Sequence, residues 1–241
     1  MSQPEQSPLR WNWRSPQVGC LAMAVAGFLI CLLPYVVVGA MQEALARLHL
    51  YPFVATIAVV ATFIGSLINI PVYRHQQDEL TPDRSIDLKH LGQTKPRFHH
   101  VQSNVVIAVN LGGCVVPVLV GLWQIVFLAT SSLRVLLLCG IISVVNVVLC
   151  YRAARPVPSV GILMPMFLSP LVAVGLSLLL IRDPVLRPSA AFVAAIAGPL
   201  IGADILRLHE MTRIKNGILS IGGAGSFDGI VVSGLIAAFI A

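Results

Sequence analysis

The chain has 241 residues, 57% hydrophobic and 11% charged, with a mean hydropathy of +0.88 and a formal charge of +6. Soluble domains carry about 25% charged residues, so this composition excludes an ordinary soluble enzyme and indicates a polytopic membrane protein. The basic residues lie between the apolar runs, where they set membrane orientation and argue against a nucleic-acid partner.

The polar start, "MSQPEQSPLRWNWRSPQ", has no small-residue cleavage signal before the first apolar run, which therefore reads as a retained helix. A bilayer core needs about 20 apolar residues per helix. The runs that approach this length are Val18–Ala40, Pro52–Ile70, Ser103–Ala129, Leu133–Tyr151, Val160–Ile181, Ser189–Leu206 and Ile218–Ala241. The expected fold is thus all-α, a transmembrane bundle of about seven spans forming one integral membrane domain over residues 1–241. The third run contains "NLGGCVVP" and is expected to kink or break at Gly112, Gly113 and Pro117. Residues 72–101 form the one sizeable polar segment, expected as a cytoplasmic loop with a short interfacial helix capped by Ser85.

Charge tests this layout. With seven spans, Arg10, Arg14, the loop 72–101, Arg152, Arg155, Arg207, Arg213 and Lys215 share one face, which carries twelve basic residues. The other face has four: Arg47, Arg134, Arg182 and Arg187. Positive charge collects in the cytoplasm, so the N-terminus is expected inside and the C-terminus outside. The five cysteines, Cys20, Cys31, Cys114, Cys139 and Cys150, sit in or beside apolar runs and read as small hydrophobes, without zinc or disulfide spacing. The loop histidines, His75, His90, His99 and His100, match no helical metal-binding pair, so no metal or other cofactor is expected.

Acids within membrane helices cost about 2.5–3.5 kcal/mol at mid-bilayer and mark function by default. Two qualify: Asp204 in "GPLIGADILRL" and Asp228 in "SIGGAGSFDGI". Brought together they would share a proton, which suits general acid–base activation of water. Each also has a structural explanation. Asp228 suits the positive end of a helix capped by Ser226, and Asp204 suits a pair with Arg207 or Arg213 at the headgroup level. Gly222, Gly223 and Gly225 permit tight helix packing, an extended strand on which a peptide docks, or the lining of a substrate path. Asn69, Asn110 and Asn146 are amides inside apolar runs and suit interhelical hydrogen bonds.

Four motifs in order, "GSLINIPVYR" (65–74), "VNLGGCVVPV" (109–118), "GADILRL" (202–208) and "SIGGAGSFDGI" (220–230), resemble an uncharacterised bacterial and archaeal membrane family known only as a domain of unknown function. That resemblance implies a multi-pass protein of the inner (plasma) membrane. "GSFDGIVVSGLIAAFIA" is similar to the second catalytic helix of the presenilin and signal-peptide-peptidase group, where Gly-x-Gly-Asp precedes an apolar helix. That likeness implies an Asp204/Asp228 pair activating water. Here Phe227 stands where that group has glycine, and no Pro-Ala-Leu motif occurs. The leading expectation is an intramembrane aspartyl hydrolase. The alternatives are a small proton- or ion-coupled transporter or channel, and a non-catalytic assembly or scaffold subunit. Expected partners are membrane lipids and either a transmembrane peptide substrate or another membrane protein.

Overall fold

The structure, a computed structural model, describes residues 16–82, 98–157, 161–211, 217–223 and 229–241. Each apolar run contributes a helix: α1 (Pro16–Ala46), α2 (Pro52–Gly65), α3 (Val116–Ser131), α4 (Leu133–Ala153), α5 (Leu168–Leu180), α6 (Arg187–Ala197) and α8 (Gly229–Ile240), with one short turn, α7 (Leu208–Met211). Two π-helical segments extend this set: Leu111–Val115 leads into α3, and Gly198–Ile205 continues α6. Among the described residues, four helical stretches are long and apolar enough to cross a membrane: Ala22–Ala46, Leu111–Ser131, Leu133–Ala153 and Arg187–Glu210. The chain is a mostly helical membrane protein.

Three expected spans are shorter than a bilayer core. Helices α2, α5 and α8 have 14, 13 and 12 residues. Extended backbone accounts for much of the missing length. Strand β1 (Asn69–Pro82) takes over after α2, β2 (Phe98–Asn110) precedes α3, and β5 (Gly217–Ile221) precedes α8. A small hairpin of β3 (Arg155–Val157) and β4 (Gly161–Leu163) precedes α5. The sequences explain the switch. "NIPVYR" and "NVVIAVN" are rich in β-branched residues, which suit a pleated strand, and Pro71 lacks the amide hydrogen a helix interior needs. The backbone absorbs Pro71 with a register shift between Pro71 and Tyr73.

The polar segment 72–101 is therefore not a simple loop. Its flanks belong to a long antiparallel hairpin in which Asn69 pairs with Asn110 at the base and Pro82 with Phe98 at the far end. The expected interfacial helix and its cap Ser85 lie outside the described residues. Strand β5 adds in parallel to the base of this hairpin, from Val105 opposite Gly217 to Val109 opposite Ile221, giving the order β1-β2-β5.

The chain divides into two compact units, residues 1–41 and 42–241. The first holds most of α1, an apolar helix with Pro34 in its interior. In the second, α6 is the central element. All of Pro188–Ile196 is buried, and its alanines pack with Ile142, Ala173, Val174, Leu128 and Ala237 from four other helices. Small residues let these helices approach closely, the main source of association where lipid offers no hydrophobic driving force. One end of this unit is closed by Arg47, which donates to the Phe239 carbonyl at 2.8 Å and lies over the Phe239 ring. At the same end Gln124 donates to the Leu48 carbonyl at 2.9 Å. The base of the three-stranded sheet occupies the opposite end.

Candidate functional site

Asp204 sits in the π-helical segment Gly198–Ile205. Pro199 explains why regular helix stops there. It has no N–H to offer the Ala195 carbonyl four residues earlier, and its ring crowds that carbonyl. The backbone then closes five-residue turns, as where the Leu206 N–H reaches the Ile201 carbonyl at 2.9 Å. The stranded Ala195 carbonyl accepts instead from the Ser169 hydroxyl of α5 at 2.7 Å.

The segment has two working faces. Gly198 and Gly202 lie against α4, where a Cβ on Gly198 would come within 2.8 Å of Asn146 Nδ2 and Cys150 Sγ. A Cβ on Gly202 would collide with the Val147 carbonyl and come within 3.0 Å of the Tyr151 N. Below them, Arg207 donates to the Tyr151 carbonyl at 2.7 Å, stacks on the Tyr151 ring and pairs with Glu210 at 2.7 Å. On the other face Leu200 and Leu208 pack on the buried trio Ile107, Cys114 and Ile221. Asp204 follows Leu200 by four residues, about one π-turn, and precedes Leu208 by four.

The glycines meet the same place. Strand β5 ends at Ile221 and turns through Gly222 and Gly223, at φ +85° and +82°. Those angles lie in the left-handed region that glycine adopts without cost. Gly222 also rests backbone to backbone on the other π-helical segment, where a Cβ on Gly222 would come within 2.7 Å of the Cys114 N. Two residues earlier in that segment, Gly112 packs on the end of α2, and a Cβ on Gly65 would come within 2.7 Å of the Gly112 N. Three chain segments thus stack with no side chain between them. Gly225 and Asp228 lie outside the described residues; α8 begins immediately after them, at Gly229.

Two of the three asparagines tie this stack together. Asn110, fully buried, caps the first π-helical segment by accepting from the Gly113 N–H at 2.7 Å. Its amide donates to the Ser66 carbonyl at 2.7 Å and to Asn69 Oδ1 at 3.1 Å. Asn69 Oδ1 also accepts from the Ser220 hydroxyl at 2.6 Å, which anchors β5 two residues before its glycine turn. We expect Asn110→Ala to cost about 2 kcal/mol, because the Ser66 carbonyl and the buried Gly113 amide lose their side-chain partner. Thermal unfolding in detergent measures this. Asn146 stands apart, on the α4 side of the Asp204 segment, and donates to the Ala194 carbonyl at 2.8 Å and to Ser169 Oγ at 2.9 Å.

Sequence reasoning passed over Ser66, Ser169 and Ser220, since a serine in an apolar run has no marker of its own. Pro199 inside "AGPLIGADIL" was the available sign of a broken helix. Among the described residues no group of histidine, cysteine, aspartate and glutamate is arranged to hold a metal ion. Cys114, Cys139 and Cys150 are buried, Cys20 and Cys31 are exposed, and none of the five forms a disulfide among the described residues.

The model of one protein family, described as "Protein of unknown function (DUF1614)", matches residues 63–240. The chain belongs to the DUF1614 family. The match starts in the last turn of α2 and runs through β5 and α8, so it spans every element that builds the glycine stack and the Asp204 segment. The DUF1614 description assigns no activity. No curated protein and no solved structure matches the chain.

Proposed function

We propose that this DUF1614 protein is an intramembrane aspartyl hydrolase that cuts peptide bonds in membrane-embedded segments, with Asp204 and Asp228 as its acid–base pair. The observation that supports the reading is the packing around Asp204's neighbours: Leu200 and Leu208, four residues before and after Asp204, pack on the cluster containing Ile221, the last residue of β5 before Gly222.

One carboxylate, ionised, takes a proton from water as its oxygen attacks the scissile carbonyl carbon. The other, protonated, donates to the carbonyl oxygen. Collapse of the tetrahedral adduct breaks the C–N bond: the proton held by the first carboxylate goes to the leaving amine, and one hydroxyl of the adduct returns its proton to the second carboxylate as the product carboxyl forms. Two nearby carboxylates sharing one proton supply both roles, because mutual repulsion keeps one of them protonated. A peptide carbonyl inside a helix is already hydrogen-bonded and shielded, so the substrate must be extended where it is cut. Strand β5 supports this. It is an edge of its sheet, and among the described residues no strand pairs with its outer side. A peptide could add there through main-chain hydrogen bonds. Gly222, Gly223 and Gly225 would then let substrate and catalytic backbone approach closely.

In this reading the chain is one multi-pass domain of the plasma membrane. Its N-terminus and sheet end are cytoplasmic, in keeping with the basic residues between spans, and its C-terminus is outside. The test is incubation of the purified protein, reconstituted in vesicles, with single-span model peptides, followed by mass spectrometry of new termini. Peptides carrying Gly, Pro or β-branched residues at the cytoplasmic end of the span should be cut about tenfold faster than poly-Leu spans, because extending them costs less helix stability. Intact peptides, together with a proton or cation flux that disappears in Asp204→Asn, would transfer the same residue to a transport role.

A further inference from the structure

We propose that Asn146 and Ser169 are positioning residues that hold the register of the π-helical segment and thereby the direction in which Asp204 points. This rests on the hydrolase reading for its consequence, but its geometry stands independently.

The segment leaves α6 at Gly198, whose N–H still bonds the Ala194 carbonyl in the ordinary helical way. From the next residue the pattern fails, since Pro199 has no N–H for the Ala195 carbonyl. Ser169 supplies the missing donor at 2.7 Å. Asn146 spans the junction: its amide reaches the Ala194 carbonyl at 2.8 Å, Ser169 Oγ at 2.9 Å and the Ser169 carbonyl at 3.3 Å. The Asn146 carbonyl oxygen in turn accepts from the Cys150 thiol at 3.5 Å. Both residues are fully buried, so water cannot take over these bonds. The carbonyls of Ala194 and Ala195 are therefore fixed towards α4 and α5 at the point where the helix changes pitch.

That point decides the direction of everything after it. A π-turn holds more residues than an α-turn, so a change of pitch between 199 and 204 rotates Asp204 relative to α6. With Gly198 and Gly202 seated on α4, the rotation puts Leu200 and Leu208, four residues either side of Asp204, on the cluster of Ile107, Cys114 and Ile221. Without the Ser169 and Asn146 bonds, the Ala195 carbonyl would be buried without a donor, and the segment would gain by moving to find one.

Native thiols on the two faces report the register without any substrate. Cys114 lies in the cluster on which Leu200 packs, and Cys150 lies on α4, against Gly198. In a Leu200→Cys protein, mild oxidation followed by disulfide mapping should join position 200 to Cys114 and not to Cys150. Adding Ser169→Ala or Asn146→Leu should lower the 200–114 yield at least fivefold, and Ser169→Thr, which keeps the hydroxyl, should restore it. Peptide cleavage by the same second-site variants, with Leu200 intact, should fall at least tenfold and recover with Thr. An unchanged 200–114 yield in Ser169→Ala would overturn the proposal, whether or not cleavage falls. If Asn146→Leu fails to fold, the Ser169 series alone decides. Failure of the hydrolase reading shows separately, as absence of cleavage by the parent protein, and leaves the disulfide result to judge the register.

Discussion

Asp204→Asn should lower peptide-bond cleavage by about 10²–10⁴-fold, the range lost when a positioned acid or base is removed. Asp228→Asn should do the same, and the double variant should be little worse than either single one, because two carboxylates sharing one proton act as a unit. Asparagine keeps the shape of the side chain but can neither ionise nor carry the shared proton. The folded yield should stay close to that of the parent. Asp204 is half-buried in a segment held on α4 by Gly198, Gly202 and Arg207, and asparagine fills the same volume. A structural role predicts the opposite pattern: lower yield or melting temperature with cleavage per folded molecule unchanged. Measuring both quantities on the same purified samples separates the two, and full cleavage by either variant would end the dyad proposal.

Gly113→Ala should be among the most destabilising single-methyl additions in the fold. Its Cβ would fall inside the Gly222 carbonyl oxygen and 2.8 Å from the carbon behind it, both main-chain atoms that no rotamer change can move aside. Overpacking a dense site costs about 1–3 kcal/mol and more where the backbone must shift; against a total stability of roughly 5–15 kcal/mol this is a large loss. Gly222→Ala should match it, since it adds a clash with Cys114 to a φ of +85°. Gly140→Ala is the control. That glycine lies within α4 with nothing within 4 Å of its Cβ, so the change should be neutral or stabilise by up to about 1 kcal/mol. Thermal unfolding of the three variants in one detergent gives the comparison. Equal melting temperatures would mean that the three segments do not stack as described.

The helices were legible because apolar length is a direct signal. The run around Ile142 became α4 with boundaries close to those expected, and the run around Ala194 became α6, whose regular helix ends at Ala197 and continues as π-helix to Ile205. The sheet was not, and Val105–Asn110 shows why. An uninterrupted apolar stretch is compatible with a buried strand or a membrane helix, and only its partners decide. Its partners are Asn69–His75 on one side and Gly217–Ile221 on the other, the second more than a hundred residues away. The glycine density near Gly222 was visible for the same local reason, whereas its purpose was not. Gly65, Gly112, Gly113 and Gly222 explain one another only when the chain has brought their backbones together. Asn110 was expected to bond between helices; instead it caps a π-helical turn and reaches Ser66 and Asn69.

The parallel pairing of β2 with β5 also fixes an order of assembly. During synthesis the hairpin of β1 and β2 can zip as soon as it emerges, since its strands are near in sequence. Its inner edge then waits while α3, α4, α5 and α6 are made, because β5 follows all of them. The glycine stack and the Asp204 segment therefore complete each other only in the final stage of maturation. A ribosome-bound or truncated chain lacking β5 would already carry Asp204 but not the strand beside its segment. On the hydrolase reading proposed above, late closure would keep every unfinished copy inactive.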